Sequence, residues 1–416
     1  MKKFAQSHFR NVVYAQFDKD RVLRKIFQKD FDVARIIRDL ETLFHTHIEE
    51  GNTILLLDEI QACRDALTSL KYFCEDRPRL PIVAAGSLLG LTYRNDDAED
   101  GSDEETTGFP VGKVNTLSIH PFSFTEFLAA IGEERLAGAV RDRQWDTLET
   151  FSERLEDVLR HYFVVGGMPE AVATYVKTRN FLDVRDVHRE ILSGYRRDIS
   201  KHAPKGDIRK IEMCWSSIPV QLAKENKRFF YSTVKSGGRA SEFRDPLAWL
   251  EDAGLIFKVG RTNIPNLPLS AYADGAFKVY MLDVGLLSAL SGLDPKVVLE
   301  GARIFKEFKG ALTEQYVHQQ LVAETTLTPY YYSTEDSRTE IDFLIQKGMA
   351  VIPIEVKSGG NVHSQSLKSY ERRFDPKDVY RASALAYKEQ TMRLDSGEVC
   401  HFTNIPLVAI GMVEQL

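Results

Sequence analysis

An α/β fold with a parallel sheet is what this sequence predicts, and three patterns predict it. Short apolar runs at 11–17, 54–57 and 80–85 alternate with helical spacing at 33–48 and 66–73. That βαβ rhythm implies a parallel sheet. Residues from 122 to 200 read as mainly helical, broken only by a turn at Gly166-Gly167-Met168-Pro169. From 300 onward a helix at 304–323 precedes strands at 330–333, 340–346 and 350–357, which predicts a second α/β region.

Between these regions the elements follow in order. Residues 114–119 (Val-Asn-Thr-Leu-Ser-Ile) alternate apolar with polar, as a half-buried strand does. Before them, residues 95–108 are acidic and polar without an apolar anchor and read as a loop. A helix at 211–224, a Gly237-Gly238 break and a helix at 240–252 lead into 254–261 and a strand at 277–282. Helices followed by a two-stranded hairpin imply a winged helix.

The bulk numbers exclude several classes. A chain of 416 residues has room for two to four domains, and its net charge of −6 gives no global nucleic-acid footprint. A basic patch on one domain is still compatible with that average. Cys63, Cys74, Cys214 and Cys400 form no C-x-x-C pair, as expected of reduced thiols. The first residues show no signal-peptide pattern, and no apolar run approaches the ~20 residues of a membrane span. A cytoplasmic protein without a membrane partner is expected.

Residues 54–59 (Ile-Leu-Leu-Leu-Asp-Glu) have the form of a Walker B strand. In such a strand the first carboxylate, here Asp58, holds Mg²⁺, and the second, Glu59, polarises a water. A solvated strand end is the alternative. Residues 82–87 (Ile-Val-Ala-Ala-Gly-Ser) form a second apolar run that ends at Ser87, where a polar sensor of the γ-phosphate belongs. Two strands that deliver carboxylates and a hydroxyl to one sheet edge fit the rule for ligand sites in open α/β sheets. The phosphate-binding partner motif, G-x-x-x-x-G-K-[ST], does not occur in the 416 residues. Residues 108–114 imitate it, but they are one spacer short and lack the Ser/Thr, and Pro110 removes a backbone donor. The expected sheet is therefore P-loop-NTPase-like but incomplete, with ATP binding impaired.

Several blocks make a resemblance specific. They are Leu-Asp-Glu-Ile-Gln (57–61), Ser-Leu-Lys-Tyr-Phe (69–73), Ala-Ala-Gly-Ser-Leu-Leu-Gly (84–90) and Pro-Phe-Ser-Phe-Thr-Glu-Phe-Leu (121–128). Gly-Gly-Met-Pro-Glu (166–170), Asp-Ile-Ser-Lys (198–201), Phe-Lys-Val-Tyr-Met-Leu-Asp-Val-Gly-Leu-Leu (277–287) and Glu-Val-Lys-Ser-Gly (355–359) continue it. Together they resemble the prokaryotic AAA-type ATPases that carry a C-terminal domain of unknown function 4143, over essentially the whole chain. The resemblance implies Mg²⁺ and ATP as cofactors, Asp58 as the metal carboxylate, Glu59 as the catalytic glutamate and Ser87 as the sensor. It also implies that Pro169 lies near the nucleotide from a helical lid. The implied division is an ATPase core at 1–130, a lid at 131–205, a winged-helix-like domain at 206–295 and a last domain at 296–416.

Within that last domain Asp342, Glu355 and Lys357 follow the D…E-x-K pattern of the PD-(D/E)XK nuclease fold, with Glu314 on the preceding helix as a further acid. Glu355 and Lys357 are two apart on a strand and share a face. A hairpin turning at 347–350 sets Asp342 opposite Glu355, within reach of one bridging metal ion. Lys357 is then placed to orient water or to stabilise phosphorane charge. A charged edge strand gives the same pattern without chemistry. Lys235, Arg239, Arg244 and Arg261 decorate the winged-helix region and are candidates for phosphate contact. Two functions follow: an ATP-driven protein acting on DNA or other nucleic acid, possible as a homo-oligomer, or a metal-dependent nuclease or DNA-binding module independent of ATP.

Overall fold

A computed structural model describes residues 1–86, 112–224, 226–300, 306–335, 337–359 and 365–416. The chain divides into two compact units, one of Met1–Ser118 with Asp252–Gly254, the other of Ile119–Glu251 with Leu255–Leu416.

The first unit contains α1 (Lys2–His8), β1 (Asn11–Gln16), α2 (Arg21–Lys29), α3 (Val33–Phe44), β2 (Thr53–Asp58), α4 (Arg64–Asp76) and β3 (Ile82–Ala85). The three strands are parallel in the order β1-β2-β3, with Gln16 opposite Asp58 and Asp58 opposite Ala85. The apolar run makes β2 the central strand, since of the three it alone is buried on both faces. Its alternation assigns each side chain to a layer. Leu55 and Leu57 join Phe17, Phe27, Ile36, Leu40 and Phe73 in the main core, while Ile54 and Leu56 pack with Ala5 of α1. Asp20 and Asp32 begin α2 and α3 by accepting from backbone amides of the first turn.

One expected strand is absent. Residues 114–119 are not extended in a ladder, and Leu117 and Ile119 are 85% and 86% exposed. Alternation makes a strand only where a partner edge supplies its hydrogen bonds, and β1, β2 and β3 pair only with one another among the described residues.

The second unit opens with helices: α5 (Phe124–Ala130), α6 (Glu134–Arg141), α7 (Trp145–Thr150), α8 (Ser152–Val165), α9 (Pro169–Thr178), α10 (Phe181–His202), α11 (Ile208–Ala223), α12 (Tyr231–Val234) and α13 (Ala240–Asp252). There follow β4 (Ile256–Thr262), β5 (Ala273–Met281), α14 (Val284–Leu290), α15 (Pro295–Glu300), α16 (Lys306–Glu324), β6 (Tyr330–Ser333), β7 (Glu340–Lys347), β8 (Ala350–Val356), α17 (Gln365–Phe374), β9 (Asp378–Ser383), β10 (Lys388–Arg393) and β11 (Val399–Pro406). All eight strands form one mixed sheet in the order β10-β11-β9-β8-β7-β6-β4-β5. The β4–β5 hairpin, anticipated as a wing, is the end of this sheet, because β4 runs parallel to β6 through Arg261–Tyr331 and Thr262–Tyr332.

Helix α16 is buried on every side from Ala311 to Leu321 although six of those residues are polar. Each polar group buried there needs a partner. Gln315 clamps both the N–H and the C=O of Met281, Gln319 accepts from Val284 N, and Gln320 accepts from Phe124 N. These amides tie the end of β5 and the starts of α14 and α5 to α16.

Candidate functional site

Strand β2 carries Asp58 to the C-terminal edge of the parallel sheet. Tyr14 on β1 donates its hydroxyl to Asp58 Oδ2, and the Glu59 amide donates to Asp58 Oδ1 at 3.2 Å. The hydrogen bond to Asp58, then burial, then the Asp58 charge push the Tyr14 phenol up to about 12. Tyr14 therefore stays a donor wherever Asp58 is ionised. Glu59 sits in the left-handed region at φ 54°, and Gln61 Nε2 donates to its Oε2 at 2.6 Å. A non-glycine residue there stores backbone strain, a trait of functional turns. Lys2 Nζ lies 3.4 Å from the Tyr14 ring centroid.

Two carboxylates at one strand end are the hard oxygen donors that Mg²⁺ takes, and that ion ordinarily keeps several waters and substrate oxygens besides. The pair thus fits the ion in kind, although no three His, Cys, Asp or Glu side chains are disposed to share a metal among the described residues. Ser87 and residues 108–111 lie outside the described residues. Tyr14 was missed in the sequence; its signal was a polar hydroxyl on the strand expected at 11–17.

The second constellation assembles too, with company. Asp342 follows the register of the β7–β8 hairpin, one step beyond the Phe343–Ile354 pair, and so faces Glu355; its Oδ2 accepts from Val356 N at 2.7 Å. Lys357 Nζ is 2.5 Å from Glu355 Oε1. Glu314 on α16 does not stand open: Lys227 bonds its Oε2, while Lys278 (2.8 Å) and Tyr280 bond its Oε1. Lys278, fully buried, also reaches Glu340 at 2.7 Å. Burial works against ionised Glu314, but the charges of Lys227 and Lys278 outweigh it and hold that carboxyl well below its ordinary value. Asp342 moves the other way, raised well above the carboxylate range by burial and then by the charges of Glu314 and Glu355. Lys227, Lys278, Tyr280 and Glu340 were not foreseen. Lys278 and Tyr280 had a signal, two polar residues on one face of an otherwise apolar strand.

Pro169 stands at the first position of α9, and the glycines before it form a tight junction. Gly167 N donates to the fully buried Asp283 at 2.6 Å, and Phe122 N donates to Gly167 O at 2.8 Å. Asp283 also accepts from Leu286 N and Gln319. The blocks 121–128, 166–170 and 277–287 therefore meet at one point, where their visible role is architectural. Of the basic candidates, Arg239 and Arg244 are exposed and Lys235 pairs with Glu242 at 3.4 Å. Arg261 is not available to a phosphate: it is buried against Tyr331's strand and forked onto Asp274.

Three family models match separate stretches of the chain. Residues 1–128 match the AAA domain, residues 156–297 a domain of unknown function (DUF8612), and residues 309–408 a domain of unknown function (DUF4143). The first match sets the class: the N-terminal part is an AAA domain. The third sets the arrangement: a stretch that matches the AAA domain is followed by a C-terminal stretch that matches the domain of unknown function 4143. No curated protein matches the chain. Among solved structures, the Walker-type ATPase of Pyrococcus abyssi is similar at 15% identity and a TM-score of 0.38, over 64% of this chain and 69% of that one.

Proposed function

We propose that the first unit handles Mg-ATP through Asp58 and Glu59, and that the second unit engages nucleic acid. The observation that carries the first half is the delivery of both carboxylates to the C-terminal edge of a parallel sheet by its central strand. Asp58 would hold Mg²⁺, which when bound neutralises phosphate charge. Glu59, steadied by Gln61, would accept a proton from the attacking water, with Ser87 as the sensor. The 416 residues contain no G-x-x-x-x-G-K-[ST], so the hold of this chain on phosphates is expected to be weak. Titration calorimetry of Mg-ATP tests this. Heat with a dissociation constant from about 1 μM to about 1 mM, abolished in Asp58→Ala, is the expected result. Heat that survives Asp58→Ala, or none at all, would remove ATP from the reading.

Nucleic acid is favoured as partner by exposed cations. Along the exposed face of α10 lie Ser193, Arg196, Arg197, Ser200 and Lys201; Arg239 and Arg244 add to them. Phosphate binding by such side chains makes affinity salt-dependent. Joint replacement of Arg196, Arg197 and Lys201 by alanine should weaken DNA binding in fluorescence anisotropy at every sequence tried. It should also lower the salt slope by about 1 for each phosphate that is no longer neutralised. An unchanged slope would leave α10 a solvated face. Metal-dependent cleavage at Asp342, Glu355 and Lys357 is not part of this reading, because ion pairs already engage Glu314 and Glu355. No helix among the described residues is long and apolar enough to cross a membrane.

A further inference from the structure

We propose that Lys278 is the resident cation of the acid cluster in the second unit. Glu314, Glu340, Asp342 and Glu355 then take no divalent ion in this chain, and removing the Lys278 ammonium opens a divalent-cation site among them. The D…E-x-K pattern implies a metal, and the side chains present do not fit one.

Geometry carries the argument. Lys278 Nζ lies 2.8 Å from Glu314 Oε1 and 2.7 Å from Glu340 Oε1. It bridges carboxylates from α16 and β7, as a metal ion between two carboxylates would. It cannot swing away to solvent, since its side chain is 0% exposed and rooted in β5. The remaining valence of Glu314 is also taken, Oε2 by Lys227 and Oε1 additionally by the Tyr280 hydroxyl. Lys357 occupies Glu355 Oε1. An incoming ion would have to strip four hydrogen-bonded partners from two acids.

Charge leads to the same conclusion. Three ammonium groups (Lys227, Lys278, Lys357) face four carboxyls (Glu314, Glu340, Asp342, Glu355). The three cations therefore offset all but one of the four carboxyls by position alone. A divalent ion added to this nearly balanced, largely buried set would bring positive charge next to fixed ammonium groups, which burial makes costly. Deleting one ammonium leaves the acids in excess and restores the demand for a cation.

The test uses the full chain in an Asp58→Ala background, so that the acidic pair of the first unit cannot report. Mn²⁺ is titrated and the free ion read by electron paramagnetic resonance. With Lys278 present, no Asp342-dependent binding is expected up to about 1 mM Mn²⁺. Lys278→Ala should gain a site at least about tenfold tighter than that limit, and adding Asp342→Asn should erase the gain. Circular dichroism establishes that each variant is folded. A folded Lys278→Ala that gains no Mn²⁺ overturns the proposal. So does binding by the Lys278-bearing chain that disappears with Asp342→Asn, and that arm stands even where Lys278→Ala does not fold.

Discussion

Replacing Gly167 by alanine is expected to prevent the second unit from folding. A Cβ at this position would lie 2.1 Å from Phe122 O and 2.6 Å from Phe122 N. Neither atom can give way, because that backbone is held by the Phe122–Gly167 hydrogen bond and by Tyr162, whose hydroxyl donates to Phe122 O. The Gly167 amide is itself tied to buried Asp283. Any shift that relieves the clash breaks one of these bonds in a place no water reaches. The cost belongs with the rare substitutions above about 4 kcal/mol, much of the stability of an ordinary domain. Gly138→Ala is the internal control, since a Cβ there meets nothing within 4 Å in the middle of α6. It should be neutral or stabilising by up to about 1 kcal/mol. Soluble yield and thermal melting of the two variants decide the matter. A Gly167→Ala protein that melts within a few degrees of the parent would show that the junction yields.

The reach of sequence reasoning tracks the range of the interaction involved. Strands β2 and β3 were legible because a buried parallel strand is written as a local apolar run, and with β2 came Asp58 and Glu59. The facing of Asp342 and Glu355 was legible because a short hairpin sets its own register, and Lys347 does pair with Ala350 across Gly348-Met349. Residues 114–119 alternated correctly and still formed no strand, because a ladder needs a partner that alternation does not name. The β4–β5 hairpin was read as a free wing; its parallel pairing with β6 joins residues some seventy positions apart and leaves no local mark. Lys227 and Lys278 escaped for the same reason. They meet Glu314 from 87 and 36 residues away, and only the fold shows that the acid expected to bind metal is already neutralised. Conversely, the glycines of 166–170 and Asp283 of 277–287, which the sequence offered only as blocks of a resemblance, meet in one tightly packed junction.

Glu314→Gln should be the most damaging isosteric change in the chain. The amide keeps the shape of the side chain but withdraws the charge that Lys227 and Lys278 share, leaving two buried ammonium groups short of a counter-ion. Breaking a buried pair from one side costs roughly 3–5 kcal/mol. The variant should therefore show a much lower denaturation midpoint at pH 7. The pH dependence identifies the cause. Glu314 is held below its ordinary 4.5 by the two lysines, so at low pH the unfolded chain binds the proton that the folded chain refuses. Its stabilisation is fully present above the unfolded value and is lost as pH falls toward the folded one. Asp342 has the opposite sign: raised above 3.8 in the fold, its contribution is present below the unfolded value and fades as pH rises. Stability of the parent should thus fall from pH 5 downward with a slope that Glu314→Gln flattens, while Asp342→Asn should leave the midpoint at pH 7 unchanged or raised. Parallel acid-denaturation curves for parent and Glu314→Gln would contradict the assignment, since a side chain that acts only by packing has no proton to give up.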